Sequence, residues 1–434
     1  MSGSAADFHW PELIQIIARQ YGEIYSLEQI EEMTWLQKRN YLARNPVTAA
    51  RHIDYIFQQT WKKVILSGLH PIGQILNYDI RKEMQSRGTE HFHSALHVYN
   101  APILDKDSDE EVIAFINKYI TCEIPDKETD SILNELVLSR QTHHHTKTCT
   151  KKKDVECRFH FKKPLSDKTI IARKTEITTD KIIESKKLIR NVMDALDKSP
   201  LDISLAQLLE NEEITSDQYH NTLQIALKRT TIILKRKPSE GSINPYNPYI
   251  LKALRSNMDI QYIVDIWSCI AYITSYMCKP EKEMSQLMKF AVKEADSIKD
   301  QLKSIGNTFL HSREVSQHEA IARLIIIPLR ESNTSVQYIP TGFEHERTRM
   351  LKPISQIKRM NDNDENIYMP NILDKYANRP DPIKNISLAE FVSDYTYNLH
   401  KQSRNHENED SDEDCELNLN ISTHSPGKVI KCKL

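Results

Sequence analysis

The sequence predicts an α+β fold, and three observations carry that expectation. In "QILNYDIRKEMQ" (74–85), Leu76, Tyr78, Ile80 and Met84 alternate with Asn77, Asp79, Arg81, Glu83 and Gln85, the period of a half-buried strand, interrupted only at Lys82. After a turn at "SRGTE", Phe92, Leu96 and Val98 alternate with His91, His93, Ala95 and His97. Two such runs around Gly88 form a β-hairpin with one apolar and one polar face. Before and after this hairpin, the apolar residues recur with a helical period instead.

In chain order, "WPELIQIIARQYG" reads as an amphipathic helix, with Asp7 available as cap and Gly22 as stop. "SLEQ" opens a second helical stretch through a capping box between Ser26 and Gln29. A third begins at Asn45, with Pro46 at its first position, where the missing N–H costs nothing. After the hairpin, residues 103–165 carry a further helix and a Cys/His segment, and 166–250 are mixed. "IVDIWSCIAYITSYMCK" is helical, and helices are expected to continue to about residue 325. From "NDNDENIYMPN" onward the pattern fades. The expected divisions are 1–135, 136–165, 166–330, 331–400 and a disordered acidic tail at 401–434.

Composition narrows the function. The 58 Lys and Arg nearly balance the 60 Asp and Glu, but "NHENEDSDEDCE" (405–416) holds acids and no Lys or Arg, so the rest is slightly basic. Only 9 glycines are present and no G-x-x-x-x-G-K-[ST], which argues against nucleotide hydrolysis at a P-loop; "SPGKV" lacks the upstream Gly and the following hydroxyl. No apolar run is long enough to span a membrane, and the first residues carry no secretory pattern. Seven scattered cysteines suit a reducing compartment better than a disulfide framework.

Three constellations can carry chemistry. His91 and His93 point to one side of a strand, roughly 6.5–7 Å apart, so both imidazoles can close on one divalent ion. A loop of odd length centred on Gly88 puts Gln85 opposite His91 and Glu83 opposite His93; an even loop puts Met84 there. Taken alone, the pair also fits a solvated strand face. On the later helix, Ile266, Ile270, Ile273 and Met277 are expected to face the core, while Tyr272, Tyr276 and Lys279 share a neighbouring stripe. Beside a metal-bound phosphate, a phenol can attack phosphorus, although such a stripe also serves plain packing. Third, His143, His145, Cys149 and Cys157 form a mixed set that zinc accepts, with His144 or His160 as substitutes. Basic residues follow: Lys151, Lys152, Lys153, Arg158, Lys162 and Lys163, then Lys228, Arg229, Lys235, Arg236 and Lys237. Interleaved with Phe159, Phe161, Tyr246 and Tyr249, they suit backbone contacts and base stacking on single-stranded DNA.

Read together and in order, these stretches resemble the replication-initiator part of Helitron rolling-circle transposases. The shared motifs are Q-x-R-G-x-x-H-x-H (Gln85, Arg87, Gly88, His91, His93), "HHHTKTC…CRFHFKKP", "LKRKPSEGSINPYNPYILKALRSNMDIQYI", "YITSYMCK" and "IGNTFLHSREVSQHEAIARL". The likeness runs from about Ala5 to Pro353. It implies an HUH endonuclease: a ferredoxin-like sheet with Mg2+ or Mn2+ above the His strand, held by His91, His93, Gln85 and Glu83. Tyr272 or Tyr276, with Lys279, would form a 5′-phosphotyrosine on single-stranded DNA, with Arg87 among the DNA contacts, in a nuclear setting. Relatives start with an apolar strand just before the segment matching "SAADFHWPEL", so that edge strand is expected to be missing here. They usually continue into a helicase; without one, the chain would need a separate DNA helicase as partner. Alternatively, it would be an inactive, truncated DNA-binding derivative.

Overall fold

The structure, a computed structural model, describes residues 1–84, 90–145, 149, 157, 161–174, 178–200, 202–226, 229–277, 316–334, 336–340, 342–343, 347, 349–360, 367–396, 422–423 and 429–432. It is of the α+β class, and packing divides the chain into two units, Met1–Glu331 and Ser332–Leu434.

The first unit opens with strand β1 (Ser2–Ser4), a 3-10 turn (Asp7–His9) and helices α1 (Pro11–Gln20), α2 (Leu27–Glu31), α3 (Trp35–Arg44) and α4 (Pro46–Thr60). Ser26 and Gln29 form the expected capping box, and the Asn45 side chain accepts from the Thr48 N–H with Pro46 at the helix start. A second box, Thr34 with Gln37, splits the second helical stretch in two and starts α3. The expected cap at Asp7 is corrected: α1 begins at Pro11 with no side-chain cap, and the Asp7 carboxylate accepts from the Phe8 N–H at 3.1 Å.

The hairpin follows as β2 (Ile75–Met84) and β3 (Glu90–Val98), then α5 (Asp109–Tyr119) and α6 (Ser131–Leu136). Strand β4 (Ile170–Ala172) pairs with β5 (Thr231–Ile233), and between them α7 (Thr179–Leu196), α8 (Leu205–Asn211) and α9 (Ser216–Ala226) enclose a core around Val192, Leu208 and Tyr219. Helix α10 (Pro248–Leu254), strand β6 (Met258–Asp259), α11 (Ile266–Met277), α12 (Gln317–Leu324) and β7 (Arg330–Ser332) complete the run. The main sheet has the order β6-β1-β3-β2-β7, with β1 antiparallel to both β3 and β6. The three-residue β1 therefore lies inside the sheet, between β6 and β3. Gly3 makes this possible: a Cβ there would meet the Phe92 ring at 2.6 Å.

The apolar face of the hairpin is covered by α4, α5 and α10, with Phe57, Trp61, Ile80, Phe92, Ile116 and Leu251 in one buried cluster. Each such side chain contributes roughly 1.5–3 kcal/mol by leaving water. Lys82, the break in the alternation, stays on this face. Its ammonium meets Asp54 at 2.5 Å and Glu90 at 3.4 Å, and lies over the Phe57 ring at 4.6 Å. A buried cation is tolerable only with such partners. Burial nevertheless outweighs the lysine at Glu90 and raises its carboxyl above the usual range.

The second unit pairs β8 (Val336–Ile339) in parallel with β11 (Val429–Cys432) and β9 (Tyr395–Thr396) with β10 (Ser422–Thr423). Its small core contains Ile339, Ile383, Phe391 and Val392. The acidic run 405–416 lies outside the described residues. Among the described residues, no helix is long and apolar enough to cross a membrane.

Burial pushes the Asp7 carboxyl up to about 6. The folded chain therefore holds that proton more tightly than the unfolded chain, and ionising Asp7 costs stability as pH rises from about 4 through 6. Asp7→Asn removes that cost and can still accept from Phe8. In urea denaturation it is expected to be more stable than the parent by ~1–3 kcal/mol near pH 8 and equal to it near pH 4. A variant no more stable near pH 8 would contradict this.

Candidate functional site

Strand pairing sets the geometry. Glu83 lies directly opposite His91, and Arg81 opposite His93, with Met84 paired to Glu90. The connection 85–89 is odd in length, but its midpoint is residue 87, not Gly88, because the strands pair out to Met84 and Glu90. This corrects the expected partners by two positions while keeping the parity, so Glu83 still shares a face with both histidines. The His91 and His93 rings are 4.6 Å apart, and His93 Nε2 lies 3.5 Å from a Glu83 carboxylate oxygen along the diagonal. Gln85 and Arg87 lie outside the described residues.

Ser4 on β1 lies opposite His91, and its hydroxyl is 2.8 Å from His91 Nδ1. That contact orients the ring and leaves Nε2 as the outward nitrogen. Burial, then the neighbouring His93, pushes His91 down to about 4 against the pull of Glu83. The imidazole is therefore neutral at physiological pH and able to donate a lone pair.

Helix α11 brings a phenol to this face. Asp265 opens it, its carboxylate accepting from the backbone N–H groups of Trp267 at 3.0 Å and Ser268 at 3.2 Å. Seven residues on, the Tyr272 ring meets His93 edge-on with centroids 5.7 Å apart. The expectation that Ile266 and Ile270 face the core is corrected: they are 68% and 49% exposed. Tyr272 is itself 51% exposed, and among the described side chains of the helix Cys269 is the most covered. Tyr276 belongs to the same helix, but its side chain, like that of Ile273, lies outside the described residues, as does Lys279.

Asp259 was not singled out from the sequence. Ser2 is opposite both His93 and Asp259, so all three share the polar face. Burial raises the Asp259 carboxyl, against the α-amino group of Met1 and Lys163. The signal for Ser4 and Asp259 is register between strands of three and two residues, which no local pattern reveals.

The second site is the Cys/His segment. The donor atoms of His143, His145, Cys149 and Cys157 all lie within 4.8 Å of one another. Cys157 Sγ is 3.4 Å from His143 Nε2, and Cys149 Sγ is 3.6 Å from His145 Nδ1. Both thiols are buried and neither is in a disulfide. Phe161 stacks on His143 at 4.4 Å, and the His143 N–H donates to the Ser242 carbonyl at 2.8 Å, fixing that ligand from two sides. Burial lowers the His143 pKa, with His145, His144 and Lys163 pushing the same way. Two imidazoles and two cysteine sulfurs in a cluster of this size can hold a metal such as zinc.

The basic residues divide. Arg236 is corrected as a DNA contact: it is buried and donates to the carbonyls of Glu240 at 2.5 Å and Ile243 at 2.7 Å. Tyr246 is likewise buried, its hydroxyl bonded to the Glu123 carbonyl, and offers no stacking surface. Lys162 pairs with Asp197, and Lys235 with Glu123 at 2.9 Å. Lys163 lies over Phe161 and within the field of Asp259. Lys237 and Tyr249 are exposed; Arg158 lies outside the described residues.

No protein-family model and no curated protein matches the chain.

The Cys/His cluster makes a direct prediction. The purified full chain is expected to carry zinc measurable by atomic emission, and Cys149→Ser combined with Cys157→Ser should lose it. The thermal midpoint should then fall by on the order of 5 °C or more. Full metal content in the double variant would refute the assignment.

Proposed function

We propose that this chain is a metal-dependent, tyrosine-based DNA strand transferase of the HUH type, with the β6-β1-β3-β2-β7 sheet as a ferredoxin-like platform. The observation that carries the reading is the meeting of Tyr272 with His93, on the same polar face as His91 and Glu83. Residues far apart in sequence supply both halves of the chemistry the motifs call for.

The donor set of two imidazoles and a carboxylate suits Mn2+ or Mg2+, with Gln85 as a further oxygen ligand. When bound, such an ion supplies positive charge to the non-bridging oxygens of the scissile phosphate. The protein's own part begins with Ser4, which orients His91, and Glu83, which holds His93. The Tyr272 oxygen attacks phosphorus as its proton leaves. A tyrosine–phosphate bond forms, the P–O3′ bond breaks, and the 3′ oxygen departs as a hydroxyl. The phosphodiester energy is kept in the tyrosyl ester, so the strand can be rejoined without ATP. Tyr276 would take the second transfer. The resemblance to Helitron replication initiators supports DNA as substrate and a separate helicase as partner.

A labelled single-stranded oligonucleotide with Mn2+ tests this. The expected product is an adduct stable to denaturant. Tyr272→Phe should reduce it about 100-fold or more, and His91→Ala to a similar degree. Adducts that survive Tyr272→Phe combined with Tyr276→Phe would sink the reading. Salt-sensitive binding without any adduct would favour the non-catalytic DNA-binding alternative.

A further inference from the structure

Beyond the sheet's polar face, one surface combines an exposed aromatic platform with uncompensated positive charge. Trp35, the first residue of α3, is 59% exposed, unusual for the largest apolar side chain. It stacks on Phe8 with centroids 5.5 Å apart and planes at 12°, and the Arg39 guanidinium lies over its ring at 5.3 Å. Phe8 follows Ser4, the partner of His91, by four residues.

Arg140 lies beside the same end. Its carbonyl accepts from the Asn257 side chain at 3.4 Å, the Asn257 carbonyl accepts from the Ser4 N–H at 3.2 Å, and Ser4 holds His91. Arg140 Nε is buried and takes no hydrogen bond. Glu135 is near enough to be felt, yet among the described residues no carboxylate closes to ion-pair distance on Arg140, Lys38 or Arg39. Lys38 donates to the Glu31 carbonyl at 3.1 Å. The fields of Arg140 and Lys38 both fall on His9, the residue after Phe8. A buried guanidinium nitrogen without a partner is costly unless a ligand completes it.

We infer that Trp35, Arg39, Lys38 and Arg140 form a binding track for single-stranded DNA flanking the reacting phosphate. A base stacks on the indole, Arg39 shifts from the ring to the backbone, and Arg140 with Lys38 takes a phosphate. The inference rests on the strand-transferase reading for its choice of ligand. The chemistry of the surface matches: bases offer π-faces of any sequence, and phosphates complement the unpaired cations.

The test uses the full chain carrying Tyr272→Phe and Tyr276→Phe, so that nothing is cut, and fluorescence anisotropy with labelled oligo(dT). Trp35→Ala should weaken binding roughly tenfold, with Trp35→Phe restoring most of it. Arg140→Ala should weaken binding and reduce the log–log salt slope by about one. Both variants should keep the parent's circular dichroism. Parent-like binding by Trp35→Ala and Arg140→Ala would overturn the track, as would stronger binding to single-stranded RNA or to a polyglutamate peptide. Adduct formation by the chain with both tyrosines is scored separately. Trp35-dependent binding without adducts sinks the catalytic reading alone, and adducts with no Trp35 dependence sink the track alone.

Discussion

The alternation of a single three-residue stretch holds the site together. Phe92 is seated in the core, 4.9 Å from the Phe57 ring and in close approach to Gly3. Because successive side chains of a strand point to opposite faces, burying Phe92 forces His91 and His93 to the other side. A slip of one residue would turn two imidazoles into the apolar core and take the phenyl ring out of it, losing on both counts. The apolar anchor therefore fixes the placement of the polar pair. Gly3 extends the same constraint to β1: only without a side chain at that position can the strand lie close enough for Ser4 to reach His91.

The two faces of the hairpin treat charge differently. On the core side, Lys82 is sealed among Asp54, Glu90 and Glu331, and its charge is cancelled within the protein. Such a cluster adds little net stability, because desolvation offsets attraction, but breaking it by removing one member is expensive. On the opposite side, the His93 ring meets Tyr272 of α11, Arg81 lies opposite His93, and the Met1 α-amino group and Lys163 act on Asp259. Asp259 is held above its ordinary carboxyl range by burial, and His91 below its ordinary imidazole range. Both shifts move their groups toward the neutral form.

The alternation of each strand was legible in the sequence; the parity of the loop was left open by it, and positions that depend on pairing between distant segments were not legible. The hairpin, its polar face and the phenol stripe follow from periods of two and 3.6. The loop midpoint did not, because Gly88 marks a permissive residue rather than the centre of symmetry. The isoleucines of α11 looked like a core stripe because the periodicity of an apolar face is the same whether or not anything covers it. Arg236 and Tyr246 show the converse: a basic run and an aromatic say nothing about burial, and both turned out to serve internal carbonyls. The split at Thr34 was readable, since the Thr-x-x-Gln spacing is in the sequence, but the preceding helix signal masked it.

The Cys/His segment is tied to the polar face by short connections. The residues just before His143 run beside β6: the Gln141 side chain accepts from the Met258 N–H at 3.3 Å, and the Arg140 carbonyl from Asn257 at 3.4 Å. Asn257 in turn binds β1, and β1 binds His91. A metal at His143, His145, Cys149 and Cys157 would brace the segment that follows Gln141, itself buried and bonded to Asn244 and to the two-residue strand β6 that carries Asp259. A strand this short has too few ladder hydrogen bonds to hold its own register. The cluster is therefore joined to the polar face of the sheet through the residues that contact β6 and β1, although it forms a separate site.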